Sequence, residues 1–321
     1  MAEPIVPPNS SPSRLRGILR ECEPMSRHVS WRAGGTAARV FTPADLDDLR
    51  IFLSSLDTQE PVCFVGLGSN LLVRDGGFQG TVVLMHRTRG EMRFEDGLIY
   101  AEAGVAAPKV ARFAAINELE GAEFLAGVPG TVGGALAMNA GCYGSETWNH
   151  VVRVRTMGRD GSLHERLPDE YDIGYRHCAP KKAGAMSEEC FIGAWFRFHP
   201  GNSAVARMRI KDYLSRRIAS QPLDLPNAGS VFRNPPGDHA ARLIEACGLK
   251  GFAIGGARIS DKHANFIVNP LRSATAADIE ALIAHARTAV RARFGIDLVP
   301  EVRIIGDDPM TLTAARPGGE A

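Results

Sequence analysis

The segment that most restricts the fold of this chain spans residues 127–144, GVPGTVGGALAMNAGCYG, in which six of eighteen residues are glycine. Glycine loses more backbone entropy on folding than any other residue, so this density indicates positive φ angles or close backbone contacts. Two interpretations stay open. The segment is either a tight, buried connection, or a glycine loop leading through Gly133 and Gly134 into a helical turn whose free N–H groups face a phosphate. It matches neither the dinucleotide-binding fingerprint nor a Walker loop.

Composition places the chain among globular proteins and argues against several classes of partner. Its 321 residues correspond to roughly two or three domains, and it is 45% hydrophobic and 23% charged. A formal net charge of +1 gives no general reason to expect nucleic acid as a partner. The six cysteines include no Cys-x-x-Cys pair, which argues against a metal site and favours reduced thiols in the cytoplasm. No apolar signal region or membrane-spanning run is present.

A second glycine segment follows a predicted strand. The apolar run PVCFV at residues 61–65 is typical of a buried strand, and it leads directly into GLGSN at residues 66–70. Successive N–H groups and a hydroxyl in this segment can point into one concave site that suits a pyrophosphate. A plain turn at the strand end is the alternative, and it is favoured for an isolated Gly-x-Gly.

The remaining pattern alternates strands and helices loosely, without internal repeats. Thr42 is predicted to cap a helix that runs to about residue 54, and a basic helix is expected over residues 203–220. Thr275 is predicted to cap the longest clear helix, which stops at Gly295. Residues 298–305 are expected to form a final strand. This order predicts an α+β or mixed α/β fold.

Three polar residues stand where chemistry is possible, and each has an ordinary alternative. Ser230 lies in a turn that could hold its hydroxyl rigidly, although most serines in turns bond their own backbone. Glu301 stands in the predicted final strand within an apolar run, where burial would raise its pKa, but an edge-strand glutamate facing water is equally compatible. Arg176 could clamp a substrate carboxylate or form a surface ion pair.

Taken together, six motifs resemble one enzyme family. Their order and spacing are similar to those of the UDP-N-acetylenolpyruvoylglucosamine reductase (MurB) family, over residues 20–306 of this chain. Several motifs are long and unusual, so agreement by chance is remote. The motifs are GLGSN at 66–70, GVPGTVGGALAMNAG at 127–141, YR at 175–176, PNAGSVFRNP at 226–235, KHANFIVN at 262–269 and PEVRIIG at 300–306.

The resemblance implies a domain organisation. An α+β fold is expected, with an FAD-binding domain of the vanillyl-alcohol-oxidase type at residues 21–200, in two lobes at about 21–90 and 91–200. A C-terminal α+β substrate-binding domain is expected at residues 201–306. Residues 1–20 and 307–321 are expected to be disordered tails, and the protein is expected to be a monomer.

The family also implies a reaction. NADPH reduces bound FAD, and the reduced flavin passes hydride to the methylene carbon of the enolpyruvyl group of UDP-N-acetylglucosamine enolpyruvate. Arg176 and Glu301 resemble the pair that stabilises the resulting negative charge, with Glu301 as a protonated donor. Ser230 resembles the proton donor at the α carbon. The product is UDP-N-acetylmuramate, a peptidoglycan precursor.

Other residues match binding positions of the family. The positions that match contacts to the sugar nucleotide are Tyr175, Asn234, Lys250 and His263. The positions that match the cofactor site are Gly66, Gly68, Ser69, Asn70, Gly127, Gly130, Thr131, Gly133, Gly134, Asn139, Ala140 and Gly141. Gly133→Val is therefore expected to abolish flavin retention with a smaller effect on folding.

Two features distinguish this chain within the family. Cys178 stands where the family usually has serine, and we expect this small side chain to be tolerated. No long insertion carrying a substrate-capping tyrosine lies between Arg176 and Ser230, which favours the shorter, type II subtype. Two other functions remain as alternatives: an oxidase with the same flavin fold, and a non-catalytic sugar-nucleotide sensor.

Overall fold

A computed structural model of the chain describes residues 15–87, 90–182 and 184–308. The first region contains β1 (Ile18–Pro24), β2 (Thr36–Thr42), α1 (Leu46–Ser55), β3 (Val62–Val65), β4 (Leu71–Val73) and β5 (Phe78–Leu84). Four of its strands form a sheet in the order β1-β2-β5-β3, with β1 antiparallel to β2 and the other pairs parallel. Helix α1 covers this sheet by burying Leu49 and Phe52 against Phe41 and Val83.

The second region is built on an antiparallel sheet. It contains β6 (Met92–Glu95), β7 (Leu98–Glu102), α2 (Ala107–Ile116), β8 (Leu119–Glu120), α3 (Val132–Met138), β9 (Gly141–Cys142), β10 (Ser145–Glu146), β11 (Val151–Met157), β12 (Leu163–Arg166), β13 (Tyr171–Gly174), β14 (His177–Pro180), β15 (Cys190–Phe196), β16 (His199–Pro200) and α4 (Ser203–Ser220). Five strands run in the order β12-β11-β15-β7-β6. Residues of α2, α3 and α4 share one apolar core with the inner strands.

The third region packs a long helix on a small antiparallel sheet. It contains α5 (Ala240–Ala246), β17 (Ala253–Ile254), β18 (Ala257–Ile259), β19 (Ile267–Val268), α6 (Ala276–Phe294) and β20 (Arg303–Ile305). Its core joins both helices to β18 and β19. Short 3₁₀ helices elsewhere lie at Met25–Arg27, Met85–Arg87, Glu123–Gly127, Thr147–Asn149, Pro168–Glu170 and Ala185–Glu188.

The regions are interlocked at the two ends of the described chain. Strand β20 pairs in parallel with β4 of the first region, with Ile304 opposite Leu72. In the other direction, Trp31 is fully buried in the core of the third region, and its Nε1 donates to Ile267 O at 2.7 Å. The N- and C-terminal parts of the sequence therefore build one another's cores.

Several sequence predictions are confirmed and others need correction. Helix α4 spans residues 203–220 as predicted, and α6 has the predicted Thr275 cap and stops at Gly295 in the left-handed region. Thr42, in contrast, does not cap a helix; the Asp45 carboxylate accepts from Asp48 N at 2.9 Å and α1 begins after it. The predicted strand over 298–305 is reduced to β20, because the residues before it bond to the 231–233 segment.

The predicted tails are shorter than expected where the structure describes them. Strand β1 begins at Ile18, inside the expected tail 1–20, and Arg16 N donates to Asp48 Oδ1 at 2.8 Å. At the other end, Asp307 N donates to Gly77 O at 2.8 Å. Residues 1–14 and 309–321 lie outside the described residues. Among residues 15–87, 90–182 and 184–308, no helix has the length and apolar character needed to cross a membrane.

Candidate active site

The two glycine segments lie against one another and line one cleft. A Cβ at Gly66 would overlap the Thr131 hydroxyl, and a Cβ at Gly130 would lie 3.5 Å from Ser69 Oγ. The cleft has a volume of about 610 Å³ and takes residues from all three regions of the chain. The segments singled out separately in the sequence are therefore two walls of one site.

Each interpretation of residues 127–144 holds for different glycines. Gly133 is a close packing contact, because a Cβ there would lie 2.9 Å from Ala103 Cβ, and Gly127 packs as closely on Cys142. At Gly134, by contrast, a Cβ would meet only the Thr131 hydroxyl, at 3.7 Å, and Gly130 is similarly open. These two open positions leave room for a ligand to approach the backbone.

In the helical turn after this loop, the first N–H groups are not free, although one of the two sequence interpretations required it. In α3, Val132 N donates to Val105 O at 2.8 Å and Gly133 N donates to Ala103 O at 2.9 Å. The Thr131 hydroxyl is the cap and lies 3.4 Å from Gly134 N. The idea of free donors at this helix end is therefore corrected, since the second region already uses the first two N–H groups of α3.

Segment 66–70 is held between the N-terminal region and the end of the chain. Gly68 has φ +63°, and a side chain there would overlap the His28 carbonyl. Asn70 Nδ2 donates to Glu301 O at 3.0 Å, and Arg303 N donates to Asn70 O at 3.1 Å. This segment is thus connected directly to the backbone that carries Glu301.

Arg176 is positioned by the other glycine segment. It lies in the turn between β13 and β14 with φ +54°, a left-handed conformation that is uncommon for a residue with a side chain. Its guanidinium donates to Gly141 O at 2.8 Å and to Asn139 O at 3.5 Å, and it lies 5.2 Å from the centre of the Tyr175 ring. The cation is fixed by carbonyl groups rather than left on the surface.

Glu301 is buried and paired with this cation. Its side chain is 14% exposed, and Oε1 lies 2.9 Å from Arg176 Nε, although the N–H does not point at it with hydrogen-bond geometry. Burial raises the pKa of Glu301, and the charge of Arg176 opposes that rise. The alternative of a glutamate facing water is excluded.

Ser230 stands on a rigid turn beside Glu301. Gly229 has φ +74°, and its N–H donates to Asn227 Oδ1 at 2.9 Å. The next residue, Val231, accepts from Glu301 N at 2.8 Å. Residues from three distant positions, 176, 230 and 301, therefore line the same cleft.

The cleft contains most of the predicted site. The predicted residues that line it are Gly66, Gly68, Ser69, Asn70, Gly127, Gly130, Thr131, Gly134, Ala140, Gly141, Arg176, Ser230 and Glu301. Gly133 lines a second cavity of about 460 Å³, which shares Gly66, Thr131 and Gly134 with the first. The predicted residues that line neither cavity are Asn139, Tyr175, Asn234, Lys250 and His263.

These five residues have other surroundings. Asn139 is buried with Nδ2 donating to Glu146 Oε2 at 2.7 Å, and Tyr175 is 47% exposed. Asn234 Oδ1 accepts from Ala240 N at the start of α5, and Lys250 pairs with Glu245 at 2.8 Å. Burial, and then the charge of Lys250, lowers the pKa of His263, whose ring packs edge-on against Phe266, a cleft residue.

The structure adds cleft residues that are not among the predicted site residues. Arg233 and Arg303 lie inside two of the recognised motifs, so the motifs could have identified them as site residues. Tyr143, which stacks on Tyr213 at 4.0 Å, lies in the glycine segment 127–144 but outside the recognised motifs. Arg217 is half-buried on α4 and donates to Gly127 O at 2.8 Å; burial lowers its pKa. Together these residues give the cleft a basic lining suited to a phosphorylated ligand.

Comparison with known proteins matches both halves of the chain. Residues 37–166 match the FAD binding domain family, and residues 221–305 match the C-terminal domain of UDP-N-acetylenolpyruvoylglucosamine reductase. The protein of that name from Thiobacillus denitrificans is 58% identical over 307 residues, covering 91% of this chain and 94% of its own. The chain belongs to the UDP-N-acetylenolpyruvoylglucosamine reductase family. The Nitrosomonas eutropha relative of the same name is 56% identical, covering 91% of this chain and 90% of its own.

A solved structure agrees with this assignment to the reductase family. The crystal structure of UDP-N-acetylenolpyruvylglucosamine reductase (MurB) from Thermus caldophilus has a TM-score of 0.74 and 30% sequence identity, covering 90% of this chain and 98% of that one. The α+β fold with an FAD-binding domain and the reductase C-terminal domain is thereby confirmed.

The cavities of this reductase-family chain fit FAD in size and character. An elongated dinucleotide needs a continuous site with both apolar and polar walls. The two cavities share a wall formed by β3 and Gly66, and open backbone at Gly130 and Gly134 allows a phosphate to approach closely.

Proposed function

We propose that this chain reduces UDP-N-acetylglucosamine enolpyruvate to UDP-N-acetylmuramate in peptidoglycan synthesis, using NADPH and bound FAD. The observation that carries the proposal is the meeting of Arg176, Ser230 and Glu301 in the cleft between the two glycine segments. The family supports it, since the relatives above are named as UDP-N-acetylenolpyruvoylglucosamine reductases.

The protein's part in the reaction is to stabilise charge. When bound, FAD supplies hydride chemistry at the enolpyruvyl methylene carbon, and negative charge then develops on the α carbon and carboxylate of the substrate. Arg176, already held by two carbonyls, is placed to attract that charge without moving. A fixed cation of this kind costs no reorganisation during the reaction.

Glu301 and Ser230 act through protons. Burial raises the pKa of Glu301 and so favours its neutral form, which can donate a hydrogen bond to the developing charge. Ser230 delivers the proton to the α carbon. An ordinary serine is a weak acid, so this step requires a strongly basic carbanion and the fixed turn at Gly229.

The binding assignments complete the proposal. Segments 66–70 and 127–141 hold FAD, while Tyr175, Asn234, Lys250 and His263 contact the sugar nucleotide. The FAD-binding domain spans residues 21–200, and residues 201–306 form the substrate domain, as a cytoplasmic monomer of the type II subtype with a tolerated Cys178. Burial raises the pKa of the Cys178 thiol to about 12, which keeps it protonated and unreactive.

Reconstitution with FAD tests this function. The protein should bind FAD with a flavin spectrum and should oxidise NADPH when the enolpyruvyl sugar nucleotide is added. A colourless protein, or one that leaves NADPH unchanged with that substrate, would contradict the proposal. Rapid reoxidation by oxygen without the sugar nucleotide would favour the oxidase alternative.

Ser230→Ala tests the proton donor directly. Loss of a positioned general acid should lower kcat by roughly 10²- to 10⁴-fold while FAD content stays unchanged. Steady-state kinetics and the flavin spectrum measure both quantities. Ser55→Ala is the control, because that hydroxyl lies far from the cleft residues in sequence and donates to Phe52 O within α1, at 2.7 Å. Sugar-nucleotide binding with an output insensitive to Ser230→Ala and Glu301→Ala would indicate the sensor alternative.

A further inference from the structure

Ser30 contacts both the segment assigned to the cofactor and the loop that carries Ser230. Its backbone N–H donates to Gly68 O at 3.0 Å. Its hydroxyl oxygen lies 2.6 Å from Asn227 O and 3.2 Å from Gly68 O. The contact with Asn227 joins positions 197 residues apart, across the boundary between the first and third regions.

The two contacts of Ser30 can be assigned separately. A serine hydroxyl has one hydrogen and donates to one acceptor at a time. The shorter distance, 2.6 Å, lies in the normal range for a hydroxyl donor and assigns that hydrogen to Asn227 O. Gly68 O already accepts a hydrogen bond from the backbone N–H of Ser30. The backbone of Ser30 therefore holds the cofactor segment, while its side chain holds the Ser230 loop.

Asn227 controls the turn on which Ser230 stands. Its Nδ2 donates to Pro222 O at 3.0 Å and to Leu225 O at 2.7 Å, and its Oδ1 accepts from Gly229 N at 2.9 Å. These hydrogen bonds hold the turn together, so a shift of the Asn227 carbonyl also shifts Gly229 and Ser230. On the far side, Val231 N donates to Asn265 O at 2.9 Å.

The placement of this contact matches a demand of the reaction. The proton donor must reach the α carbon of the substrate while the adjacent methylene carbon faces the flavin, so the Ser230 loop and the flavin segment need a fixed separation. Glu301 has such a connection, because Asn70 Nδ2 donates to its carbonyl at 3.0 Å. The Ser30 hydroxyl supplies the corresponding connection for the Ser230 loop.

We propose that Ser30 is a positioning residue for the reduction, whose hydroxyl, through Asn227, sets the distance between Ser230 and the flavin held by residues 66–70. The inference rests on the proposed role of Ser230 as proton donor and adds a second residue, outside the cleft motifs, on which that role depends.

Ser30→Ala separates this role from general stabilisation, because it removes the bond to Asn227 and keeps the N–H bond to Gly68. The holoenzyme should retain its FAD content and the rate at which NADPH reduces the flavin. Turnover with the enolpyruvyl sugar nucleotide should fall by about tenfold, since small misplacements of catalytic groups cost that much or more. The solvent isotope effect on kcat should rise, because protonation then limits the rate, and Ser30→Thr should restore both values.

Several results would overturn the proposal. Ser30→Ala with wild-type kcat and solvent isotope effect would do so, as would equal slowing of flavin reduction and substrate turnover, which indicates a merely structural role. If Ser30→Ala loses FAD, the same measurements are made on Ser30→Cys, which keeps a weak hydrogen-bond donor. Loss of FAD in both variants would assign the hydroxyl to cofactor retention and reject the proposal. Full activity in Ser230→Ala would remove the proposed proton donor, whereas an impaired Ser230→Ala beside a normal Ser30→Ala would reject only this inference.

Discussion

At the scale of single residues, the pairing of Arg176 with Glu301 determines how charge is distributed in the cleft. Arg176 is anchored independently by the carbonyls of Asn139 and Gly141, so its position does not depend on the protonation of Glu301. Burial favours the neutral form of Glu301, while the neighbouring cation favours the charged form. A carboxylate arriving with the substrate would compete for Arg176 and shift Glu301 further towards its neutral form.

Glu301→Gln should change how stability depends on pH. Because burial raises the pKa of Glu301 above 4.5, the folded protein keeps a proton that the unfolded chain releases. The stability contribution of this group is full below pH 4.5 and is lost as the pH rises through the raised pKa. Urea unfolding from about pH 4 to pH 7 should therefore show wild type losing stability relative to Glu301→Gln.

The control for that experiment is Glu165→Gln, which removes an exposed partner of Arg155 at 3.1 Å. The difference in unfolding free energy between Glu165→Gln and wild type should not change over the same pH range in the same way. If wild type keeps or gains stability relative to Glu301→Gln as the pH rises, burial does not dominate at this carboxyl.

At the scale of elements, some glycines of segment 127–144 allow close packing, while others leave the backbone open to the cleft. Gly133 brings α3 against Ala103 of the second region, while Gly134 on the same helix faces both cavities. The sequence could predict an unusual backbone in this segment, because its glycine content can be counted directly. It could not assign individual glycines, since that depends on which neighbour lies opposite each one in the fold.

Gly134→Val should abolish FAD retention while the apoprotein still folds, because the added side chain projects into the cleft. Gly133→Val should instead weaken folding itself, since a Cβ there already lies 2.9 Å from Ala103 Cβ. This reverses the earlier expectation for Gly133. Absorbance measures the FAD content, and urea unfolding of the apoproteins measures stability. Equal unfolding midpoints for the two variants would contradict the separate roles of Gly133 and Gly134.

The same contrast explains which elements were predicted well. Helices α4 and α6 follow from local signals, a polar cap and a defined stop, and their bounds agree with the structure. Strand β20 and the surroundings of Glu301 depend on residues far away in sequence, such as Leu72 and Val231, and local patterns do not contain that information. The meeting of residues 176, 230 and 301 came from resemblance to a family, not from periodicity.

At the scale of the whole molecule, the regions are joined by exchanged elements. Trp31, from the first region, fills the core of the third, and Asn269 Nδ2 donates back to its carbonyl at 3.0 Å. Arg74 pairs with Glu280 of α6 at 3.1 Å. Domain boundaries drawn on the sequence therefore do not mark independent cores here.

Trp31→Phe should destabilise the whole protein by about 1–3 kcal/mol, because it leaves the buried Ile267 carbonyl without its donor. Urea unfolding measures the loss. Trp195→Phe is the matched control, since Trp195 is also buried but its Nε1 lies 3.4 Å from the exposed carboxylate of Glu95, a longer contact. A loss no larger than the control's would mean that the connection through Trp31 contributes little to stability.

The parallel pairing of β20 with β4 also has a consequence for synthesis on the ribosome. The two strands, which lie next to residues 66–70 and Glu301 in the sequence, are separated by more than 200 residues. At roughly 5–20 residues per second, translation needs on the order of tens of seconds to deliver the second strand after the first. A nascent chain thus lacks the partner strand of β4 for that time, and Asn70 lacks its bonds to Glu301 and Arg303 until the end of the chain is made.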